Sequence, residues 1–368
     1  MKKITTLFLL LNLTIAFSQN GAPSSPYYNG FNWNLTGNNL RDALATKIIT
    51  THIRQLTYSQ TDNALAILDL DPADVTNTNV LLVYGFSNNL CPDSPADDKD
   101  HRRRDASMQD DGTSSPCLYN REHTFPKALG NPDLGTAEAG ADLHHLRAAD
   151  KKRNADRDND KFFNGSNGSG NSFETGLNWY PGDEWKGDIA RMMMYMYLRY
   201  GNQCLPTAVG VGTPVASDAN MIDLFLQWNA EDPVSLFEDK RNTYLGNTSN
   251  TYGQGNRNPF IDNPYLATVI WGGPTAQNRW PTLLTGTYNL ADSVTIYPNP
   301  SNNGNIYIET EVILDQIDLI TVNGQIFQQI KSPGATNKTY TISNLPQGFY
   351  FLKLTSNYET VTKKVTVN

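Results

Sequence analysis

After its first eighteen residues the chain has no apolar run long enough to span a bilayer, which excludes a helical membrane architecture for the remainder. A basic surplus is missing too. Lys and Arg number 29 against 37 Asp and Glu, a formal charge of −8, so bulk electrostatic attraction to a polyanion is excluded and any nucleic acid has to be held by a local site. Even between Arg121 and Lys161, eight basic residues are matched by eight acidic ones. Cysteine is scarce: Cys91, Cys117 and Cys204 are the three in the chain, and an odd number excludes a fully paired disulfide framework. A bridge between Cys91 and Cys117 would pin the polar loop 92–116; pairings with Cys204 stay open.

What is present describes a soluble globular protein, with 39% apolar and 18% charged residues over 368 positions, a length that suggests two domains. Met1-Lys-Lys, an apolar run to Phe17 and small residues at Ala16 and Ser18 read as a secretory signal over residues 1–18. Apolar residues at Leu40, Leu44, Ile48, Ile49 and Ile53 predict an amphipathic helix, with His52 packed on its apolar side. Residues 79–85 read as a buried strand, and the mixed charge run 97–105 as a solvated loop. Residues 188–200 are apolar nearly all round and predict a core helix stopped by Gly201. Residues 221–228 predict another helix, and a short one follows Asp232-Pro-Val-Ser235. From Val294 the period changes to short alternating runs separated by turn signals, notably Asn323-Gly324, which predicts a small all-β sandwich.

Three of the five histidines fall within fewer than forty residues, in Asn120-Arg-Glu-His-Thr-Phe-Pro126, Asp142-Leu-His-His-Leu146 and Asn154-Ala-Asp-Arg157. In extended chain Glu122 and His123 point to opposite faces, so one can hold a hard cation while the other stays metal-free and takes a proton from water. Asn154 adds a neutral oxygen. A site with one carboxylate and one carboxamide leaves most of the ion's coordination to water and phosphate oxygens, as magnesium accepts. Zinc is disfavoured because no His-Glu-x-x-His occurs. A calcium loop at 156–167 is disfavoured because Lys161 stands where glycine is needed and Asn167 where a bidentate glutamate is needed. The plain alternative is that His123 is a capped or core histidine.

Arg121-Glu-His-Thr-Phe-Pro126, Asp142-Leu-His-His-Leu146, Asn154-Ala-Asp-Arg157, Lys186-Gly-Asp-Ile-Ala-Arg191 and Gly255-Asn-Arg-Asn-Pro-Phe-Ile-Asp262 resemble, in order, the motif blocks of the secreted and periplasmic endonuclease I family, which are ββα-metal (His-Me finger) nucleases. The resemblance implies sequence-tolerant cleavage of DNA, and often RNA, with one divalent ion and 5′-phosphate products. It implies His123 as general base, Glu122 and Asn154 as metal ligands, Arg157 as a catalytic arginine touching phosphate, and Mg2+ as the ion, with Ca2+ or Mn2+ as alternatives. Its finger strands are expected over 121–126 and 142–147, with Asn154 on the next helix. His144 is expected to orient or support, and His145 replaces a common Asn.

The chain end, with Val294-Thr-Ile-Tyr-Pro-Asn-Pro300, Leu345-Pro-Gln-Gly-Phe-Tyr350 and Lys363-Lys-Val-Thr-Val367, resembles the type A C-terminal sorting domain of the type IX secretion system. The resulting expectation is an α+β fold: a ββα-metal nuclease domain (26–273) with mainly helical surroundings, a linker (274–293) and an immunoglobulin-like all-β sandwich (294–368). The protein is expected to be a secreted or cell-surface monomer, with DNA and RNA as substrates, the type IX machinery as partner and no integral membrane segment once mature. Two other readings are a non-catalytic ion-binding surface or adhesion protein, and a phosphodiesterase for small nucleotides.

Overall fold

The structure, a computed structural model, describes residues 23–85, 102–115, 117–280, 294–310, 314–335, 339–356 and 359–368. The expected signal, Cys91 and linker residues 281–293 lie outside these. The chain divides into two compact units, Met1–Leu283 and Leu284–Asn368. Among the described residues no helix is long and apolar enough to cross a membrane. Cys117 is disulfide-bonded, and Cys204 is a free, buried thiol.

The larger unit opens with α1 (Gly37–Thr51), whose Leu40, Leu44 and Ile48 are buried at the expected spacing. Ile49 and Ile53, expected on the same face, are instead 47% and 71% exposed; Ile53 lies past the helix end. His52, at the C-cap, is buried and accepts a hydrogen bond from Arg199 Nε at 3.2 Å. α2 (Tyr58–Leu68) starts in a capping box in which Thr57 and Gln60 exchange hydrogen bonds.

β1 (Asn79–Leu81) pairs antiparallel with β2 (Arg103–Asp105) and is shorter than the expected 79–85. Val83 adds a single bridge to Ala149, after which Tyr84 (φ 72) and Gly85 (φ 74) leave the extended region. Arg104, from the charge run read as solvated, is fully buried: strand alternation turns it inward, where Asp150 meets it at 3.1 Å.

β3 (Tyr119–His123) and β4 (Leu146–Asp150) pair antiparallel, with Glu122 opposite Arg147 and His123 opposite Leu146. α3 (Lys151–Arg157) comes directly after, its start capped by the Asp150 carboxylate, which accepts from the Lys152 and Arg153 amides. The second strand starts four residues later than expected. Asp142 accepts the amide of His144 two residues on, and 142–145 become a turn.

α4 (Lys186–Tyr200) is the central pillar, buried without interruption from Gly187 to Leu198 and ended by Gly201 at φ 56. The helix expected at 221 begins at Asp223, because Met221 and Ile222 finish the strand Asp218–Ile222, which pairs with Pro214–Val215. The helix Leu236–Gly246 comes after a capping box between Ser235 and Glu238.

A ladder of buried charges ties these elements to β4. Arg147 donates to Asp188 of α4 at 3.0 Å and lies 3.7 Å from Asp69, whose carboxylate also takes the Ala148 amide and pairs with Arg241. Asp188 continues to Arg191 at 3.8 Å, and Arg191 forks onto Glu238 at 2.6 and 2.8 Å. Three basic side chains alternate with three acidic ones, and burial together with Glu238 pushes the Asp188 carboxyl well above the usual carboxylate range. Losing an interior member leaves each neighbour one partner short in a buried setting.

In the smaller unit two antiparallel sheets share one core. Ile306–Glu309 lies between Thr295–Tyr297 and Thr339–Ile342 in one; in the other, Gln316–Thr321 lies between Ile326–Lys331 and Gly348–Ser356, with Glu359–Val367 beyond. Ile306 and Ile308 of the first sheet and Leu319, Leu352 and Leu354 of the second are buried together. The Asn323-Gly324 signal is a hairpin turn, with Gly324 at φ 79. The unit is all-β.

Candidate active site

β3 sends alternate side chains to opposite sides. Asn120 and Glu122 reach toward α3, where they meet Asn154 and Arg157; Arg121 and His123 reach toward Tyr58 of α2. All of them except Tyr58 border one cleft of about 470 Å³, together with Lys127, Lys151, Asp158 and Asn159.

Glu122 is 3% exposed. Its Oε1 accepts from the Tyr84 hydroxyl at 3.0 Å and meets Arg157 Nη1 at 3.2 Å. Burial raises its pKa, and Arg157 and the Tyr84 hydroxyl offset that in part. Asn154 is half-buried, and its Nδ2 donates to Asn120 Oδ1 at 2.8 Å and to the Arg121 carbonyl at 3.3 Å.

The His123 ring stacks on Tyr58 at 5.9 Å and meets the edge of His145 at 5.6 Å. Its Nε2 lies 3.0 Å from the Gly140 carbonyl. A carbonyl only accepts, so Nε2 carries the proton and Nδ1 keeps a lone pair. Burial, then the adjacent His145 ring, and then Arg121 and Lys127, push this imidazole down to about 2, against the pull of the Gly140 hydrogen bond. Burial thus favours the neutral ring. Gly140 itself has no room for a side chain: a Cβ there would sit 2.2 Å from the Gly135 carbonyl oxygen.

Arg157, expected to touch phosphate, lies under the floor of the cleft with no exposed surface. It donates to the His123 carbonyl at 3.1 Å and the Thr124 carbonyl at 2.9 Å and pairs electrostatically with Glu122. Of the cations bordering the cleft, Arg157 has no exposed surface, whereas Arg121, Lys127 and Lys151 are partly exposed. Arg121 lies flat on Tyr58, 3.4 Å from the ring centroid, and its Nη1 is held by Asp62, Thr61 and the Tyr58 carbonyl.

His144 and His145 are buried outside the cleft wall, donating to the carbonyls of Asn256 (3.2 Å) and Ala139 (2.7 Å). Asp142 gathers the Tyr195 and Tyr200 hydroxyls, Gln254 and the His144 amide, which makes it a structural hub.

The donor set fits a divalent cation of the hard, oxygen-seeking kind. Glu122 is a buried carboxylate with incomplete compensation, and the Asn154 nitrogen is committed elsewhere, which leaves its oxygen toward the cleft. Among the described residues no group of three or more His, Cys, Asp or Glu comes together to hold a metal.

The Endonuclease I family model matches residues 36–265, more than half of the chain. The chain belongs to the endonuclease I family. This endonuclease I relative is 38% identical to the extracellular ribonuclease of Bacillus amyloliquefaciens over 245 residues, covering 64% of this chain and 75% of that protein. It is 35% identical to the extracellular ribonuclease of Bacillus subtilis (strain 168) over 289 residues, covering 72% and 89%. A second family model, the secretion system C-terminal sorting domain, matches residues 295–368. A solved structure of PorZ, a type IX secretion component of Porphyromonas gingivalis, matches 23% of this chain and 12% of that one at 15% identity and a TM-score of 0.19, too slight a likeness to argue from. The endonuclease I protein is thus a nuclease, a phosphodiester hydrolase, and it is secreted or held at the cell surface.

Sequence reasoning did not find Tyr84 or Gly140. Tyr84 reaches Glu122 from 38 positions away, and only its left-handed backbone aims the hydroxyl there. Gly140 acts through its carbonyl, and Ala137-Glu-Ala-Gly-Ala141 carries no signal that would single it out.

Proposed function

We propose that this nuclease cleaves DNA, and RNA as well, with little sequence preference, using His123 as general base and one divalent ion held by Glu122 and Asn154. β3, β4 and α3 then form the ββα-metal finger, the ion is Mg2+ with Ca2+ or Mn2+ as alternatives, and the enzyme works as a monomer. The C-terminal unit is read as an immunoglobulin-like domain recognised by the type IX secretion machinery. One observation carries the catalytic reading. The Gly140 carbonyl fixes a neutral His123 with its Nδ1 lone pair free, in the same cleft as a carboxylate and a carboxamide oxygen.

In this reading His123 Nδ1 takes the proton of the attacking water. A phosphate entering beside the ring brings negative charge against Arg121 and Lys127, which raises the imidazole's proton affinity from its resting value toward the range a base needs. Arg157 acts from beneath: it holds the His123 carbonyl and the Glu122 carboxylate and so sets the spacing of base and ligand. Lys127 and Lys151 attract the phosphates on either side. When bound, the divalent ion would neutralise charge on the scissile phosphate and stabilise the leaving oxygen.

The test is incubation of purified protein with plasmid and with RNA, in Mg2+ and after chelation, beside His123→Ala. Degradation should stop with chelator and fall by roughly 10² to 10⁴ in the variant. Undiminished degradation by the variant removes His123 as base, and undiminished degradation in chelator removes the ion. Cleavage of a small chromogenic diester with plasmid left intact would favour the small-nucleotide reading.

A further inference from the structure

We propose that Asn120 is a positioning residue that locks the Asn154 carboxamide with its oxygen toward the ion. The inference rests on the metal reading given above. A carboxamide fits its pocket in two nearly isosteric orientations, and only one of them offers oxygen to a hard cation. The Arg121 carbonyl, 3.3 Å from Asn154, can only accept, so the atom facing it is nitrogen. The second proton of the same nitrogen is taken by Asn120 Oδ1 at 2.8 Å, the shorter of the two bonds. With both protons committed to the β3 side, Oδ1 of Asn154 is left with its lone pairs for the cleft. A flipped Asn154 amide would set oxygen against the Arg121 carbonyl oxygen, and would keep its bond to Asn120 only if the Asn120 amide flipped with it.

The sequence places the lock beside the other ligand. Asn120 and Glu122 are two apart on β3 and so share a face, the one turned to α3. Asn154 reaches that face from the middle of α3, whose start is fixed by Asp150 at the end of β4. One strand therefore supplies a ligand at Glu122 and the orienting acceptor for the other ligand at Asn120. Partners that orient a ligand in this way commonly change metal affinity ten- to a hundred-fold when removed.

The experiment is titration of the full-length protein with Mn2+ alone, without nucleic acid, monitored by the electron paramagnetic resonance of free Mn2+. Wild type, Asn120→Ala, Asn120→Leu, Asn120→Asp and Glu122→Ala are compared, each with a thermal melt in chelator. Asn120→Leu keeps the size of the side chain without an acceptor; Asn120→Asp keeps the acceptor. The expected result is a Mn2+ Kd raised about ten-fold or more in Ala and Leu, little change in their melting, and affinity in Asp at least near that of wild type. Unchanged affinity in Ala and Leu, with binding lost in Glu122→Ala, overturns the lock and leaves the metal reading standing. So does a lowered melting temperature with unchanged affinity, which would make Asn120 a mere tie between β3 and α3. Affinity in Asn120→Asp as weak as in Asn120→Ala also overturns it. Wild-type affinity in Glu122→Ala removes the metal site itself.

Discussion

The buried side chains around the site differ in what they respond to. His144 and His145 are pushed down to about 4 by burial, against the pull of Asp142. Unfolded, both titrate near 6.5, so between pH 6.5 and 4 the unfolded chain binds more protons and stability falls as pH falls. The loss is at most about 3 kcal/mol per ring. Thermal melts across that window should show it, and a melting temperature flat from pH 6.5 to 4 would contradict the burial argument. Arg157→Lys keeps the charge but not the fork that reaches both carbonyls and Glu122. A fall in kcat with KM little changed is expected, whereas a residue in contact with phosphate would raise KM. Gly140→Ala should lower activity by an order of magnitude or more while Asn154 and Glu122 stay intact, because the added methyl displaces the carbonyl that orients His123. Such residues mark the limit of what could be read from the sequence. That Glu122, His123 and Asn154 would share one cleft was legible in their spacing, but a backbone carbonyl and a tyrosine on a left-handed backbone leave no comparable trace.

At the scale of elements, regular signals were readable and local competition was not. α4 is buried all round as expected, and the C-terminal unit is built of short strands, although Ile326–Lys331 is exposed along nearly its whole length. The strand expected over 142–147 began late because the Asp142 side chain bonds the backbone of its own turn, and β1 ended early where Tyr84 turns. A buried arginine inside a charged run, Arg104, was hidden by composition: its partner Asp150 is 46 positions away. The ladder makes a direct prediction. Arg147→Met should destabilise the larger unit by about 3–5 kcal/mol, since it leaves Asp188 and Asp69 facing an apolar group, and adding Asp188→Leu should return part of that loss. Chemical denaturation of the single and double variants measures both, and strict additivity would mean the two residues are not coupled.

For the whole molecule, we propose the division foreseen from the sequence, a nuclease domain over 26–273, a linker over 274–293 and a sorting domain from 294, with the difference that Ala276, Arg279 and Trp280 of the expected linker are buried in the larger unit. Each unit has a hydrophobic core of its own. A chain ended at Leu283 is therefore expected to melt cooperatively and to keep nuclease activity within about two-fold of the full chain, a threshold set by the usual independence of separately cored domains; loss of the cooperative melt would refute it. The ladder also bears on when activity begins. Its members lie at positions 69, 147, 188, 191, 238 and 241, so the ladder behind β4 is incomplete until the chain is present as far as the helix Leu236–Gly246. A nascent polypeptide can carry Glu122, His123 and Asn154 and still lack the ladder members that come later. For a secreted nuclease such a dependence is expected to keep incomplete chains inactive, because the site is finished only once the whole larger unit is present.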